Sequence, residues 1–325
     1  MQETVADSAK GATANEVSPR GSERRKLLAA PRASGGWRLG DWPAAWLLIA
    51  PVIVLFGIAV VFPLIDTIRL SFFDIKGLAK PKYIGIGNYL KLFADPAFRN
   101  TLTTTLIFTL ATTAISVTLG WLLAMLCAFA PRRTLVFRVM IFAAFGISEA
   151  VAGYMWIGIF RPDAGGLLNT VIGLFSPGFS HPWLGDPNTA LWALIVAASW
   201  GGVGLPLMLC FASVQAIPRT VLEAAYLDGA RPGQIMASIM MPLSLPGVRV
   251  AIFINLLGAL RAFDIIYIIT GGGPVRATET VGYFMYRESM TQFKLGYGAA
   301  ATVVLLAAVL VISVPAIIQR TAGAR

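Results

Sequence analysis

EAAYLDGARPGQIMASIMMP, residues 223–242, lies between two long apolar segments of the chain. It is too polar, and too rich in Gly and Pro, for the core of a bilayer, where every backbone group must be satisfied internally. It also lacks the dense charge of a solvated linker, and its alanines, Ile239 and methionines are suited to contact. Pro218 fits the first turn of a helix, where a missing N–H costs little. Residues 219–228 then make about three turns, with Val221, Leu222 and Ala225 near one face, and the exposed faces of the elbow are expected to be small and mixed: Glu223, Ala224, Ala225, Asp228 and Ala230. Gly229 can take a positive φ and stop that helix. Pro232 starts a second one through Met240, and Pro242 and Pro246 are expected to break it before the next apolar segment. The expectation is an elbow over 218–242, two short helices at an angle, held outside the membrane, with Ala230 just past the hinge.

The rest of the chain makes a membrane necessary. Its 325 residues are 57% hydrophobic and 13% charged, with a mean hydropathy of +0.73, whereas soluble domains carry about 25% charged residues. Six apolar blocks reach the roughly 20 residues a helix needs to cross the hydrocarbon core: 42–62, 102–127, 139–160, 189–213, 248–269 and 298–318. The fold class expected is all-α, a polytopic protein with six transmembrane helices over 42–318, carrying the elbow as a cytoplasmic coupling helix pair. Tails of 1–41 and 319–325 flank it.

Charge sets the expected orientation. The net charge of +10 does not call for nucleic acid, because much of it sits in Arg20, Arg24, Arg25, Lys26, Arg32 and Arg38, before the first span. Such residues hold a tail in the cytoplasm. The tail is poor in aromatics, as in disordered segments, and its long polar stretch does not fit a signal peptide. The turn 131–138 carries Arg132, Arg133 and Arg138 with no acid, while the loop 161–188 sets Arg161 against Asp163 and Asp186. Both termini and the elbow are therefore expected in the cytoplasm, although the 66–100 loop, with six basic residues on the opposite side, runs against this.

Several chemistries are excluded. Cys127 and Cys210 fall inside spans, where free cysteine packs as a small hydrophobe. His181 is the only histidine, so neither a metal cluster nor a His-dependent triad can be assembled, and no cofactor is expected. No Gly-Lys dipeptide occurs, so the GxxxxGK[ST] phosphate loop is absent. GGGP (271–274) reads instead as a helix terminator and tight turn. Active transport by this chain would draw on an ion gradient or on another polypeptide.

Polar residues within spans are costly and are functional candidates by default. Glu149 lies about halfway along the third span, followed by Tyr154 and Trp156. Trp200, with Gly201, Gly202 and Gly204, interrupts the fourth. Asn255 sits near the middle of the fifth, with Arg261, Asp264 and Tyr267 toward its far end. Plainer roles stand beside these: Arg261 and Asp264 neutralising one another, Glu149 pairing with Arg261 or a neighbouring helix, and the glycines allowing close packing.

The pattern Glu223-Ala224-Ala225, three residues, Gly229, nine residues, then Ile239 and Pro242 resembles the EAA loop of ABC importer permeases, the binding-protein-dependent inner-membrane components. QAIPRTVLEAAYLDGARPGQ resembles the carbohydrate-uptake branch, with its maltose, trehalose and glycerol-3-phosphate permeases. YIGIGNYLKLFADPAF, WIGIFRPDAGGLLN and FDIIYIITGGGP agree, and the resemblance covers roughly residues 45 to 318. It implies a bacterial inner-membrane permease whose elbow seats in a cleft of a cytoplasmic ATPase dimer, with Glu223 as charged contact and Gly229 as hinge. It further implies a second, usually different permease, an external solute-binding protein and a sugar-like substrate, with Asn255 and Trp200 near the family's sugar-contacting positions. Met241 stands where the family usually has Leu, and Glu149 where relatives often have Pro. An ion-coupled secondary transporter would leave the elbow unexplained and often shows an inverted repeat, which these spans lack. A membrane-embedded enzyme would want clustered His or carboxylates.

Overall fold

The computed structural model describes residues 42–322 apart from Leu78 and Ala164; the expectations for the 1–41 tail and for 323–325 lie outside them. The chain divides into two units, the first closing at Val61. That unit contributes α1 (Trp42–Phe56) and a π turn, Gly57–Val61. Trp46 to Val61 are almost wholly exposed, as befits a helix that is apolar all round and meets lipid.

The second unit begins with α2 (Phe62–Leu70) and a two-stranded antiparallel ribbon, β1 (Phe73–Asp74) and β2 (Lys82–Tyr83), pairing Phe73 with Tyr83. Then come α3 (Gly87–Ala94) and α4 (Pro96–Ala128), the latter capped by Asp95, whose carboxylate accepts from the Ala97 N–H. Next are α5 (Leu135–Phe145), α6 (Glu149–Ile159) and α7 (Leu167–Gly173). They are followed by α8 (Ala190–Gly202), α9 (Gly204–Gln215) and α10 (Arg219–Leu227). α11 (Pro232–Ile235), a π turn (Met236–Met240) and α12 (Met241–Leu260) form one run. α13 (Asp264–Ile269), α14 (Val281–Tyr286), a second π turn (Arg287–Thr291) and α15 (Leu295–Ala322) complete it.

The all-α membrane fold expected from the sequence is present, and the straightness of its helices is corrected. Four stretches are long and apolar enough to cross a bilayer alone: Trp46–Leu70, Pro96–Ala128, Pro232–Leu260 and Leu295–Val314. Two pairs qualify only together, α5 with α6, bent by 99°, and α8 with α9, bent by 44°, so the span count lies between four and six. The third span is thus not a continuous helix. Gly146 weakens it, Ser148 takes an extended ψ of 135°, and the helix restarts at Glu149, an acid in a first turn where the helix dipole favours it. The fifth span is not continuous to residue 269 either, because Arg261, Ala262 and Phe263 leave the helix between α12 and α13. The breaks expected at Pro242 and Pro246 do not occur, and Pro246 lies inside α12. The π turn before it widens the ladder, and Pro242 then falls in the first turn of α12, where its absent N–H is tolerated.

Three helices make the densest core. Val117 and Ala124 of α4 pack with Leu207, Cys210 and Phe211 of α9 and with Val248 and Ala251 of α12. Cys127 joins them, and both cysteines are buried and unpaired. Glycine sets the separation of α4 and α9: a Cβ on Gly120 would stand 2.6 Å from Pro206 Cβ and 2.7 Å from the Leu207 nitrogen. Trp121 Nε1 donates to Ser244 Oγ at 2.9 Å, tying α4 to α12. At the Asp95 end, Glu279 is 1% exposed and accepts from Arg287 Nε at 2.7 Å and Thr101 Oγ1 at 3.3 Å. Glu288, also buried, meets Arg287 at 2.9 Å and Lys294 at 3.1 Å.

Gly120→Val should overpack the α4–α9 contact, at a cost of about 1–3 kcal/mol. The measurement is the thermal midpoint of the purified protein in mild detergent, which should fall by several degrees, whereas Gly158→Ala, in open space, should leave it near wild type.

Candidate functional site: a cavity at the helix breaks and the elbow

The three breaks in α5–α6, α8–α9 and α12–α13 border one cavity of about 520 Å³. Ile147 and Glu149 come to it from the first, Gly201 and Gly202 from the second, and Arg261 to Asp264 from the third. Asn255 of α12 and Phe108 and Thr112 of α4 also line it. Glu149, Arg261 and Asp264 are all open to it. Among the described residues Arg261 closes no ion pair with Asp264 or Glu149. The Glu149 carboxylate stands against the N–H of Ile265, within electrostatic range of Asp264 and Arg261. Asn255 Nδ2 donates to the Ala251 carbonyl at 3.1 Å, leaving its Oδ1 as an acceptor.

Four of the in-span candidates therefore meet in one place: Glu149, Asn255, Arg261 and Asp264. Tyr154 does not line the cavity and is 67% exposed. Trp200 packs edge-on to Trp156 at 6.2 Å, one residue from the lining Gly201. Tyr267 lies outside the cavity, in a cluster of rings with Phe263. The glycines divide. Gly202 is held against Ser116, a Cβ there standing 2.6 Å from its Oγ, and Gly204 against Phe142, while Gly201 has open space. Sequence reasoning missed Thr112, whose hydroxyl has no partner. The threonines of TLTTTLIFTLATTAIS (101–116) were the available signal, since residues 101, 105, 109, 112 and 116 follow one helical face.

The elbow is one short helix, α10, and the start of a long one. Its closing turn follows from its residues. The Gly229 N–H donates to the Tyr226 carbonyl at 3.1 Å and the Ala230 N–H to the Ala225 carbonyl at 3.0 Å, with Gly229 at φ +78°. This is a complete Schellman motif, with the small contact of Ala225 and Ala230 that accompanies it. Both alanines pack, with Leu222, on a cluster of Met125, Val214, Ile217, Ile235 and Met240. Of the expected coupling residues, Glu223, Ala224, Asp228 and Gly229 are exposed, while Ala225 and Ala230 face inward. Leu227, 89% exposed, joins the outer face. A helical wheel places it there, three residues past Ala224 and opposite Leu222.

Residues 116–322 match the family described as binding-protein-dependent transport system inner membrane component. The sn-glycerol-3-phosphate transport system permease protein UgpA of Agrobacterium fabrum is 32% identical over 271 residues, 82% of this chain and 91% of that protein. The sulfoquinovosyl glycerol transport system permease protein SmoG of the same organism is 31% identical, across 85% of this chain and 90% of that protein. The fold is similar to that of a bacterial alginate ABC transporter, solved in complex with an alginate pentasaccharide-bound periplasmic protein, with a TM-score of 0.73 at 19% identity, covering 84% of this chain and 92% of that one. The chain belongs to this family of inner-membrane components, and it is a transport permease subunit, not an enzyme.

Gly229→Ala should destabilise the elbow by about 1–2 kcal/mol, because a Cβ finds open space there but not a relaxed backbone at positive φ. Gly233→Ala, equally open and without the positive φ, is the control. Hydrogen exchange of the 226–230 amides should quicken in the first variant and not in the second.

Proposed function

We propose that this chain is the permease subunit of an ATP-driven ABC importer for a sugar or sugar-like solute, delivered by an external solute-binding protein. The elbow over 218–242 docks on a separate cytoplasmic ATPase dimer, a second and different permease completes the pathway, and both termini face the cytoplasm. The observation that carries this reading is the outer face of α10. Glu223 and Asp228 flank the small Ala224 and the exposed Leu227, on a helix whose other face is fixed to the ends of α4 and α9. An interfacial helix usually turns Lys and Arg toward anionic headgroups; this face turns acids outward and suits a groove in a protein.

In this reading Glu149, Asn255, Arg261 and Asp264 contact solute in the cavity, while Tyr154, Trp200 and Tyr267 flank the path. Relatives named for sn-glycerol-3-phosphate and sulfoquinovosyl glycerol transport support a polyhydroxylated solute. The cavity's two carboxylates and one guanidinium offer acceptors and donors to the hydroxyls of such a solute. ATP binding drives the cycle only through contacts that differ between the two conformations, and α10, packed as a rigid piece, is what transmits them.

The test is purification of the tagged chain from its native host, with mass spectrometry of what accompanies it. Wild type should bring an ABC ATPase and a second permease. Glu223→Arg should lose at least about tenfold of the ATPase, equivalent to about 1.4 kcal/mol of docking energy, while keeping the second permease. A chain that purifies alone and is indifferent to the change would overturn the reading.

A further inference from the structure

The break between α12 and α13 does a second thing besides lining the cavity. It turns the ring of Phe263 toward three tyrosines. Phe263 lies 5.4 Å from Tyr267 and 6.4 Å from Tyr283, centroid to centroid, with planes only 24° and 21° apart. Tyr286 closes the group at 5.2 Å from Phe263 and 5.4 Å from Tyr267. Phe263 belongs to the cavity wall as well, so the rings continue that wall past Asp264. Tyr267 is the most open of them, at 45% exposed.

The turn of GGGP supports the group from behind. Gly272 has φ +76°, and a Cβ there would stand 2.8 Å from two carbons of the Tyr283 ring. No other residue fits between that ring and the turn. The motif is thus more than a terminator, since its second glycine seats one ring of the group.

We propose that Phe263, Tyr267, Tyr283 and Tyr286 form a carbohydrate-stacking platform, a subsite that receives a sugar ring at the Asp264 end of the cavity. The inference rests on the sugar reading above and goes beyond it in naming a subsite outside the cavity. The chemistry is complementary. The face of an aromatic ring is electron-rich and attracts the C–H face of a pyranose, while the phenolic hydroxyls of Tyr267 and Tyr286, hydrogen-bonded to one another, keep further lone pairs for its peripheral hydroxyls. Asp264, on the same short helix as Tyr267, is open beside the rings and accepts hydrogen bonds from sugar hydroxyls. Tyrosines at a membrane interface also serve as a belt at the headgroups. A belt spreads its rings around the protein, whereas these four pack on one another and on the cavity wall.

The experiment measures uptake of radiolabelled glucose, maltose and trehalose by cells expressing the chain with its native partner subunits, and follows the sugar whose uptake saturates. Tyr267→Ala should raise KM about tenfold, the factor that corresponds to about 1.4 kcal/mol of stacking, with Vmax and the amount of chain in the membrane little changed. Tyr267→Phe, which keeps the ring, should raise KM by a smaller factor. Tyr286→Ala should act in the same direction as Tyr267→Ala. Phe175→Ala, an 87% exposed aromatic elsewhere, should not move KM. If a sugar is taken up and its KM ignores both alanine variants, the platform is overturned while the sugar reading stands. Variants that lower only the amount of chain in the membrane identify a headgroup belt and overturn it equally. If the wild type takes up none of the three sugars, the sugar reading fails and the platform with it.

Discussion

A backbone amide has no partner in hydrocarbon, so a helix at depth can open only where protein or a water-filled space takes up the freed groups. That constraint organises this chain. Its helices interrupt at 146–148, at Val203 and at 261–263, and residues beside all three interruptions border the same cavity. α4 lines the same cavity with Phe108 and Thr112 and still runs unbroken from Pro96 to Ala128, so the irregular backbone is confined to the other three walls. The cavity and the irregularities are therefore one feature, and the charged residues Glu149, Arg261 and Asp264 sit where unwound backbone already requires a polar environment.

Around the breaks the structure is stiffened by small residues. Gly120 and Gly247 bring α4 and α12 within backbone contact of α9, and Gly202 brings α8 against the Ser116 side chain of α4, which a bilayer protein uses in place of hydrophobic exclusion. Two of these helices, α4 and α9, end at the cluster of Met125, Val214 and Ile217 on which α10 rests. A push on α10 thus meets a packed surface rather than a flexible loop, and packed surfaces transmit displacement.

Much of this was legible in the sequence, for physical reasons. Long apolar blocks have no other solution than membrane helices, so class and approximate spans could be read directly. Gly229 was legible because glycine takes the positive φ of a helix-stopping turn at no steric cost, and Glu223, Ala224 and Asp228 are exposed as expected, whereas Ala225 and Ala230, expected beside them, pack inward. The breaks were harder. Gly146-Ile147-Ser148-Glu149 carries a restart signal, Ser followed by an acid, but hydropathy averages across it. Arg261-Ala262-Phe263 contains no Gly or Pro at all, and only tertiary packing opens the helix there. Pro242 misled in the other direction, because a π turn is invisible to any rule built on a 3.6-residue period. Tyr154, named for its polarity, is not among the residues that line the cavity, since polarity does not specify azimuth on a bent helix.

The acid cluster at the Asp95 end has a consequence for biogenesis. Thr101 and Glu279 are 178 residues apart in sequence, and Asp95 and Tyr297 are 202 apart. The early helices must therefore be synthesised and inserted long before the partners of their ends exist, and contacts of such separation are the slowest to form. Until Glu279 and Glu288 arrive with Arg287 and Lys294, the start of α4 is held only by its own cap and its neighbours in the membrane. The last of these contacts to become available is Tyr297 on Asp95, because the ion pairs of Glu279 and Glu288 can already form once Lys294 has been made.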